Sequence, residues 1–200
     1  MLLPDSFFAR PTPAVARDLL GQKLVRRLDG EILSGMVVET EAYLGQADTA
    51  CHAHRGRTPR TEVMFGPPGV AYVYFVYGMH YMLNVVTEAE GVPCAVLIRA
   101  IEPLQGRARM QALRQTANHH LADGPARLCQ ALAIDKTLNR RPVTTGDALW
   151  FEAYRRIPAA DVACGPRVGI RYAAPADRRA PHRFWIRGNR HVSPGPRNEM

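Results

Sequence analysis

The run AYVYFVYGMHYMLNVV, residues 71–86, constrains the fold more than any other segment of the chain. Tyrosine, phenylalanine, valine and leucine fit the pleated surface of a sheet, and here they flank a single glycine, Gly78. Glycine adopts positive φ without steric cost. The run therefore predicts strands over 71–76 and 80–86, joined by a sharp turn over residues 77–79.

The tyrosines of this hairpin allow two interpretations. Burial in a strand explains any one of them, because aromatic side chains pack well within a sheet. Burial explains the group less well, since four phenolic hydroxyls in this run would all need hydrogen-bond partners. For Tyr77, at the predicted turn, a core position and an exposed functional position are both open.

Further strand and helix signals surround the hairpin. Asp29-Gly30 is a strong turn signal inside QKLVRRLDGEILSGMVVETEAYLG, which predicts a second hairpin. More strands are predicted at 94–101, 148–153, 166–172 and 183–187. Helices are predicted in RPTPAVARDLLG, with Thr12 as the cap, in EPLQGRARMQALRQT and in GPARLCQALAI.

Strands dominate, and several neighbouring strands are hairpin-linked. We therefore predict an α+β fold class: a single compact domain over residues 1–200, built on a largely antiparallel sheet with surrounding helices. The segment 45–69 is rich in Gly, Pro, Arg and His and is predicted to be a long loop. Loops of that length in compact domains are typically functional or disordered.

The charge balance indicates a polyanionic partner. The chain has 26 Lys and Arg against 18 Asp and Glu, a formal net charge of +8 and a pI near 9.8. Lysine occurs only at Lys23 and Lys136, so arginine supplies nearly all of the positive charge. A genome rich in G and C would also raise the arginine content. Arginine makes forked contacts to phosphate, which favours nucleic acid over a membrane surface.

The cysteine and histidine spacing predicts no metal site. The four cysteines form no C-x-x-C pair, so neither a disulfide framework nor a zinc knuckle is predicted. Cys51, His52 and His54 lack a second ligand cluster, and the H-x-E and P-C-x-x-C elements of zinc deaminases are incomplete. The arginines of the same loop are better interpreted as phosphate contacts: Arg55, Arg57 and Arg60.

No secretion or membrane signal is recognised in the sequence. The start, MLLPDSFFARPTP, has no basic region followed by an apolar core. No uncharged apolar run is long enough to span a bilayer. We therefore expect a cytoplasmic protein with no membrane partner.

Two carboxylates lie close together in MVVETEAYLG. The alternation of a strand puts Val37, Glu39, Glu41 and Tyr43 on one face and apolar residues on the other. This face is either a solvated outer surface or a catalytic one. The pattern does not choose between Glu39 and Glu41.

Several segments together resemble a known enzyme family. They are VVETEAYLGQADTACHAHRGRTPR, MFGPPGVAYVYFVYGMHYMLNVV, VLIRAIEPLQG, GPARLCQALAI, CGPRVGI and RFWIRGNRHVS. The chain is similar to the alkyladenine (3-methyladenine) DNA glycosylases of the alkylpurine type from about Leu3 to Ser193. The ordered tract 37–103 is far more specific than any single short motif.

The resemblance implies a base-excision-repair hydrolase with a β-hairpin that protrudes from the domain. Such an enzyme flips an alkylated or deaminated purine out of duplex DNA and hydrolyses its N-glycosidic bond, leaving an abasic site. It is expected to use no cofactor, no metal and no Schiff-base lysine. Its expected partner is double-stranded DNA containing damaged purines, bound by a monomer.

The resemblance also assigns roles to individual residues. The catalytic set is Glu41, as the general base that activates water, with Arg99 and the backbone of Val168 beside it. The pocket for the flipped base is formed by Tyr43, His52, Tyr74 and Asn84. The DNA contacts are Tyr77, Met79, Arg57 and Arg60, and Tyr77 fills the gap that the extruded base leaves.

Two functions of other classes remain open at this point. A nucleic-acid-binding module on the same fold would need neither Glu41 nor a complete pocket. A metal-dependent nuclease would show chelator-sensitive strand cleavage. Hypoxanthine, ethenoadenine, 3-methyladenine and 7-methylguanine are equally compatible with the sequence as substrates.

Overall fold

One long strand, Glu31–Tyr43, organises the sheet. The computed structural model of the chain describes residues 1–116 and 120–193. Its strands, each antiparallel to its neighbours, are β1 (Lys23–Leu28), β2 (Glu31–Tyr43), β3 (Ala71–Val76), β4 (His80–Thr87), β5 (Cys94–Gln105), β6 (Leu149–Glu152), β7 (Val162–Gly165) and β8 (Arg183–Ile186). Along one edge of β2 runs β5, and along the other run β1 and then β8. The strand order is β3-β4-β5-β2-β1-β6, with β8 between β2 and β7.

Both predicted hairpins are confirmed. The turn between β1 and β2 lies at Asp29-Gly30, whose φ angles are 51° and 82°. The turn between β3 and β4 contains Tyr77 and Gly78, with φ angles of 55° and 68°, followed by Met79. Two successive positive φ angles give a turn whose twist matches that of the flanking strands.

Helices cover one face of the sheet and enclose the main core, except for the last short helix, whose Asp177 accepts hydrogen bonds from Thr49 of loop 45–69. They are α1 (Asp5–Phe8), α2 (Thr12–Asp18), α3 (Arg107–Arg114), α4 (Pro125–Ala131) and α5 (Pro175–Arg179). Val15 of α2 and Leu128 of α4 pack with Leu83 and Ile98 of the sheet in this core. The predicted α+β class with an antiparallel sheet is therefore confirmed. Within the described ranges, no helix is long and apolar enough to cross a membrane.

The loop 45–69 packs on the opposite face of the sheet. It contains three short 3-10 helices: Gly45–Ala47, His52–Arg55 and Glu62–Phe65. Cys51, Ala53 and Met64 of the loop form a second apolar cluster with Tyr72 and Ala95. Helices α1 to α4 and the long loop thus take opposite faces of one sheet, and the loop covers the face that carries the candidate site.

Three local predictions are wrong. Residues 166–172 form a loop, because Arg167 turns inward onto buried partners, and the nearby strand is β7 instead. Residues 102–105 extend β5 rather than begin a helix, so the helix starts at Arg107. Thr12 is not the cap of α2, because its hydroxyl bonds to the side chains of Thr87 and Glu88.

Candidate active site

A row of paired residues places the site on the loop-covered face of the sheet. Leu97 of β5 pairs with Asn84 of β4 on one side and with Glu41 of β2 on the other. Asn84 pairs in turn with Tyr72 of β3, and Glu41 with Arg183 of β8. Directly paired residues project from the same face of a sheet. Residues from five segments that are separate in the sequence therefore meet at this site, and no local sequence pattern predicts that they do.

Donors from three parts of the chain hold the carboxylate of Glu41. Its Oε1 accepts from the backbone N–H of Val168 at 2.7 Å and lies 3.2 Å from Nη1 of Arg99. Its Oε2 accepts from the hydroxyl of Tyr43 at 2.8 Å. The side chain has no exposed surface. The structure thus brings Glu41, Arg99, Val168 and Tyr43 into direct contact.

Glu39 is also fully buried, but its environment differs. Its Oε1 accepts from Nε of Arg99 at 2.8 Å and from Nε of Arg183 at 2.7 Å. The N–H and the hydroxyl of Ser193 donate to its two oxygens, at 2.7 and 3.0 Å. Burial excludes the solvated outer face as an explanation for Glu39 and Glu41.

The alternation predicted along β2 fails at one point. Register shifts relative to β5 lie on both sides of Glu39. Val37 therefore belongs to the main core with Ala42, whereas Glu39 and Glu41 share contacts with Arg99 on the other face. A β-bulge is a local insertion that sequence alternation does not reveal.

Arg99 links the two carboxylates and remains charged. Burial alone would lower its pKa, but Glu41 and Glu39 outweigh that effect, so the pKa of Arg99 is raised. Burial and the charge of Glu41 raise the pKa of Tyr43 well above its ordinary value, so its hydroxyl keeps the proton that it donates. Arg99 and Tyr43 therefore hold Glu41 from opposite oxygens.

An aromatic cavity lies next to this cluster. It encloses about 320 Å³, counting the part that is open to solvent. Its walls are Tyr43, Ala50, Cys51, His52, Met64, Tyr72, Tyr74, Asn84, Ala95 and Tyr172. The rings of His52 and Tyr74 are 4.6 Å apart, and those of Tyr72 and Tyr74 are 5.2 Å apart. All four residues predicted for the pocket thus line one cavity.

The polar groups of the cavity are neutral at physiological pH. Nδ1 of His52 and the hydroxyl of Tyr72 form a 2.9 Å hydrogen bond. Burial, with a smaller contribution from the charge of Arg60, lowers the pKa of His52 to about 4. Burial raises the pKa of Tyr72 to about 12 and that of Tyr74 further still. The cavity therefore offers aromatic faces and uncharged hydrogen-bonding groups.

A buried ion pair fixes the position of Tyr43. The guanidinium of Arg167 lies 4.7 Å from the centre of the Tyr43 ring, and both of its terminal nitrogens donate to Asp48, at 2.5 and 2.8 Å. Arg167 also donates to the carbonyl of Ala42. These bonds hold the 166–172 loop in place, which sets the backbone N–H of Val168 against Glu41.

The tip of the β3–β4 hairpin is exposed and apolar. Tyr77 is 78% exposed, Met79 is 65% exposed and Phe75 is 49% exposed. The core interpretation of Tyr77 is therefore wrong. Burying apolar surface is the main driving force of folding, so side chains left out of the core in this way mark a contact surface.

The two arginines predicted to contact DNA have different surroundings. Arg57 forms a 2.9 Å ion pair with Glu62 and lies 4.5 Å from the centre of the Phe65 ring. Arg60 lies 4.9 Å from the centre of the Tyr74 ring, beside the cavity. Both belong to the loop that covers the site face. The structure thus places only Arg60 against a residue of the pocket.

Several residues of the site were not among those predicted from the sequence, and four of them are polar or charged side chains. Tyr72 and Tyr172 line the cavity, and Asp48 and Arg167 support it. Tyr72 stands in the aromatic run, where a period of two from Tyr74 could have found it. The other three have no local signal, because Arg167 and Tyr172 meet Asp48 and the cavity only in the folded chain. Within the described residues, no group of three His, Cys, Asp or Glu side chains could hold a metal ion.

Comparison with known protein families gives a match over most of the chain. Residues 6–190 match the model of the Methylpurine-DNA glycosylase (MPG) family. The chain belongs to this family. A methylpurine-DNA glycosylase is a DNA-repair hydrolase that acts on alkylation damage, and its substrate is DNA. The resemblance found in the sequence is therefore confirmed.

Relatives match this member of the family over nearly its whole length. A protein of Myxococcus xanthus named "Putative 3-methyladenine DNA glycosylase" is 49% identical over 194 residues, which are 97% of this chain and 94% of the relative. A protein of the same name from Carboxydothermus hydrogenoformans is also 49% identical, over 96% of this chain and 99% of the relative. The mouse DNA-3-methyladenine glycosylase is 43% identical over 96% of this chain and 61% of the mouse protein.

Proposed function

We propose that this protein extrudes a damaged purine nucleotide from duplex DNA and hydrolyses its N-glycosidic bond with water activated by Glu41. One observation carries the proposal: a fully buried carboxylate, held by three donors, lies directly behind an aromatic cavity. The hydroxyl of Tyr43 joins the two, because Tyr43 both lines the cavity and bonds to Glu41.

The hydrogen bonds of Glu41 indicate where the water binds. A carboxylate oxygen accepts about two hydrogen bonds. Oε1 already faces Val168 N–H and Arg99, whereas among the described residues Oε2 accepts only from Tyr43. The attacking water binds at Oε2, the oxygen on the side of the cavity wall. Arg99 and Val168 keep the carboxylate from rotating.

The chemical step is a displacement at the sugar. Glu41 accepts a proton from the water, whose oxygen forms a bond to the anomeric carbon. The glycosidic C–N bond breaks, and its electron pair leaves with the base. A purine alkylated on a ring nitrogen is cationic, so it leaves as a neutral molecule. A positioned general base contributes about 10²–10⁴-fold, and the negative charge favours an oxocarbenium-like transition state.

The cavity and the hairpin tip complete the proposal. Tyr43, His52 and Tyr74 stack on the extruded base, and Asn84 contacts its edge. Tyr77 enters the minor groove and fills the vacated stack, as apolar and aromatic wedges do in proteins that bend DNA. The net charge of +8 draws the protein to duplex DNA. The names of the relatives support 3-methyladenine as one substrate, and we propose that the enzyme acts as a monomer.

Replacement of Glu41 tests the proposal. Glu41→Gln should lower single-turnover release of 3-methyladenine from a duplex by at least about 100-fold, because the amide cannot accept the proton. Binding to the same duplex should persist. The matched control is Glu31→Gln, an exposed carboxylate on the same strand, which should release base at the wild-type rate. Base release by Glu41→Gln within a few-fold of wild type would refute the role of Glu41.

A further inference from the structure

Two of the tyrosines that line the cavity each have an arginine over the ring already. Arg167 lies over the Tyr43 ring at 4.7 Å, and Arg60 lies over the Tyr74 ring at 4.9 Å. A cation over an aromatic face is attracted by the negative charge of the ring faces. A ring that binds one cation attracts a second one less, and the two cations repel each other. These two rings therefore have a reduced capacity for a positively charged base.

The two arginines differ in how their charge is balanced. Arg167 is buried and bonded through two nitrogens to Asp48, so the pair is close to neutral as a unit. Arg60 is exposed, and among the described residues it forms no ion pair with a carboxylate. Of the two charges, that of Arg60 acts on the cavity with less compensation.

The charge of Arg60 reaches the interior of the cavity. Burial is the main cause of the lowered pKa of His52, and the charge of Arg60 is the second cause. The same charge opposes the rise that burial causes in the pKa values of Tyr72 and Tyr74. Arg60 lies over the Tyr74 ring at the edge of the cavity but is not among the residues that line it. The guanidinium and the base then share one aromatic ring.

We propose that Arg60 is a specificity-determining residue that biases the pocket toward uncharged purine lesions. The inference rests on the proposed function. A cationic base, such as 7-methylguanine, meets like-charge repulsion from Arg60 and a ring that is already engaged. A neutral base, such as hypoxanthine, stacks on Tyr74 without that repulsion, and its polarisable ring system is compatible with the nearby guanidinium.

The test compares two lesions in the same duplex sequence. Single-turnover base release is measured for 7-methylguanine and for hypoxanthine, at a slightly acidic pH where the 7-methylguanine nucleotide is fully cationic. The ratio of variant to wild-type rate is taken for each lesion, which removes the different intrinsic labilities of the two bonds. The variants are Arg60→Gln and Arg60→Lys. The matched control is Arg57→Gln, an arginine of the same loop that stacks on Phe65 and pairs with Glu62.

Arg60→Gln should raise release of 7-methylguanine relative to hypoxanthine by about three- to tenfold, the effect of one partly screened like charge. Arg60→Lys keeps the charge and should stay near the wild-type ratio, and Arg57→Gln should leave the ratio unchanged. An equal change for both lesions in Arg60→Gln overturns the inference and makes Arg60 a simple phosphate contact. If the wild type releases neither base, the inference fails, and release of 3-methyladenine from the same duplex sequence then decides separately whether the proposed function fails as well.

Discussion

The buried carboxylate cluster and the exposed hairpin tip follow opposite rules. The cluster, Glu39, Glu41 and Arg99, lies inside the protein with its charges paired. The hairpin tip, Tyr77 and Met79, leaves large apolar side chains in solvent. Buried charges persist only where partners compensate the lost hydration, and exposed apolar groups contribute nothing to folding. Under the proposed function, the cluster serves both stability and chemistry, whereas the tip serves only an external partner.

The largest effect is expected where the cluster is broken. Glu39→Gln removes the shared partner of Arg99 and Arg183 and leaves two buried cations under-compensated. The free energy of unfolding should fall by about 3–5 kcal/mol, as in other broken buried ion pairs. Chemical denaturation measures this change. Folded Glu39→Gln should still release base faster than Glu41→Gln, because Val168 and Tyr43 continue to hold Glu41.

A surface ion pair provides the control for Glu39. Asp18 pairs with Arg10 at 2.7 Å, with 47% of the Asp18 side chain exposed. Asp18→Asn should cost less than about 1 kcal/mol, since solvent screens such pairs. Equal losses for Glu39→Gln and Asp18→Asn would show that the buried network does not stabilise the fold.

The pocket between these two regions should contribute less to folding stability at acid pH. Burial lowers the pKa of His52 from 6.5 to about 4, so the unfolded chain binds its proton more tightly than the folded one. The contribution of neutral His52 to the free energy of unfolding is fully present above pH 6.5. It is lost as the pH falls towards 4, by about 3 kcal/mol in all. Denaturation at several pH values measures it.

Other histidines contribute to acid sensitivity as well, so the difference between proteins is the informative quantity. Burial also lowers the pKa values of His182 and His191. In His52→Gln, the part of the acid-induced loss of stability that comes from His52 should be absent. His54 is a neighbouring exposed residue, and His54→Gln should lose as much stability in acid as the wild type. Parallel pH profiles for wild type and His52→Gln would contradict a buried, neutral His52.

Replacement of a residue at the hairpin tip should weaken DNA binding but have little effect on stability. Tyr77→Ala should weaken binding to duplexes with an extruded or abasic nucleotide by about 1–3 kcal/mol, a typical stacking contribution. Intact duplex should lose much less, and the melting temperature should not change, because 78% of Tyr77 is exposed. Tyr154→Ala, 53% exposed and following β6 at the other edge of the sheet, is the matched control. An equal loss on all duplexes would rule out the wedge.

The features that the sequence predicts best are those that neighbouring residues determine. Asp29-Gly30 and Gly78 determine their turns locally, because positive φ is needed there and glycine supplies it. The strand at 166–172 was predicted wrongly for the opposite reason. Its backbone is held by Arg167 and Asp48, which are 119 positions apart in the sequence. No local pattern encodes that contact.

The two glutamates of β2 also combine a feature that the local sequence predicts with features that depend on distant contacts. Alternation placed Glu39 and Glu41 on one face, which is correct, but it did not predict their burial or distinguish their partners. The partners come from β5, β8, the 166–172 loop and Ser193, and they meet only in the folded sheet. The prediction of the pocket residues rests on the family resemblance, and the cavity brings these residues together.

Direct observation of base extrusion tests the central claim, that the cluster performs the chemistry and the hairpin tip performs the extrusion. The measurement is stopped-flow fluorescence of 2-aminopurine placed beside the lesion, recorded with wild type, Glu41→Gln and Tyr77→Ala. Glu41→Gln should show the wild-type rise in fluorescence, as the lesion unstacks, without releasing base. Tyr77→Ala should show a small or short-lived rise. A normal rise with Tyr77→Ala together with no rise for folded Glu41→Gln would contradict the account.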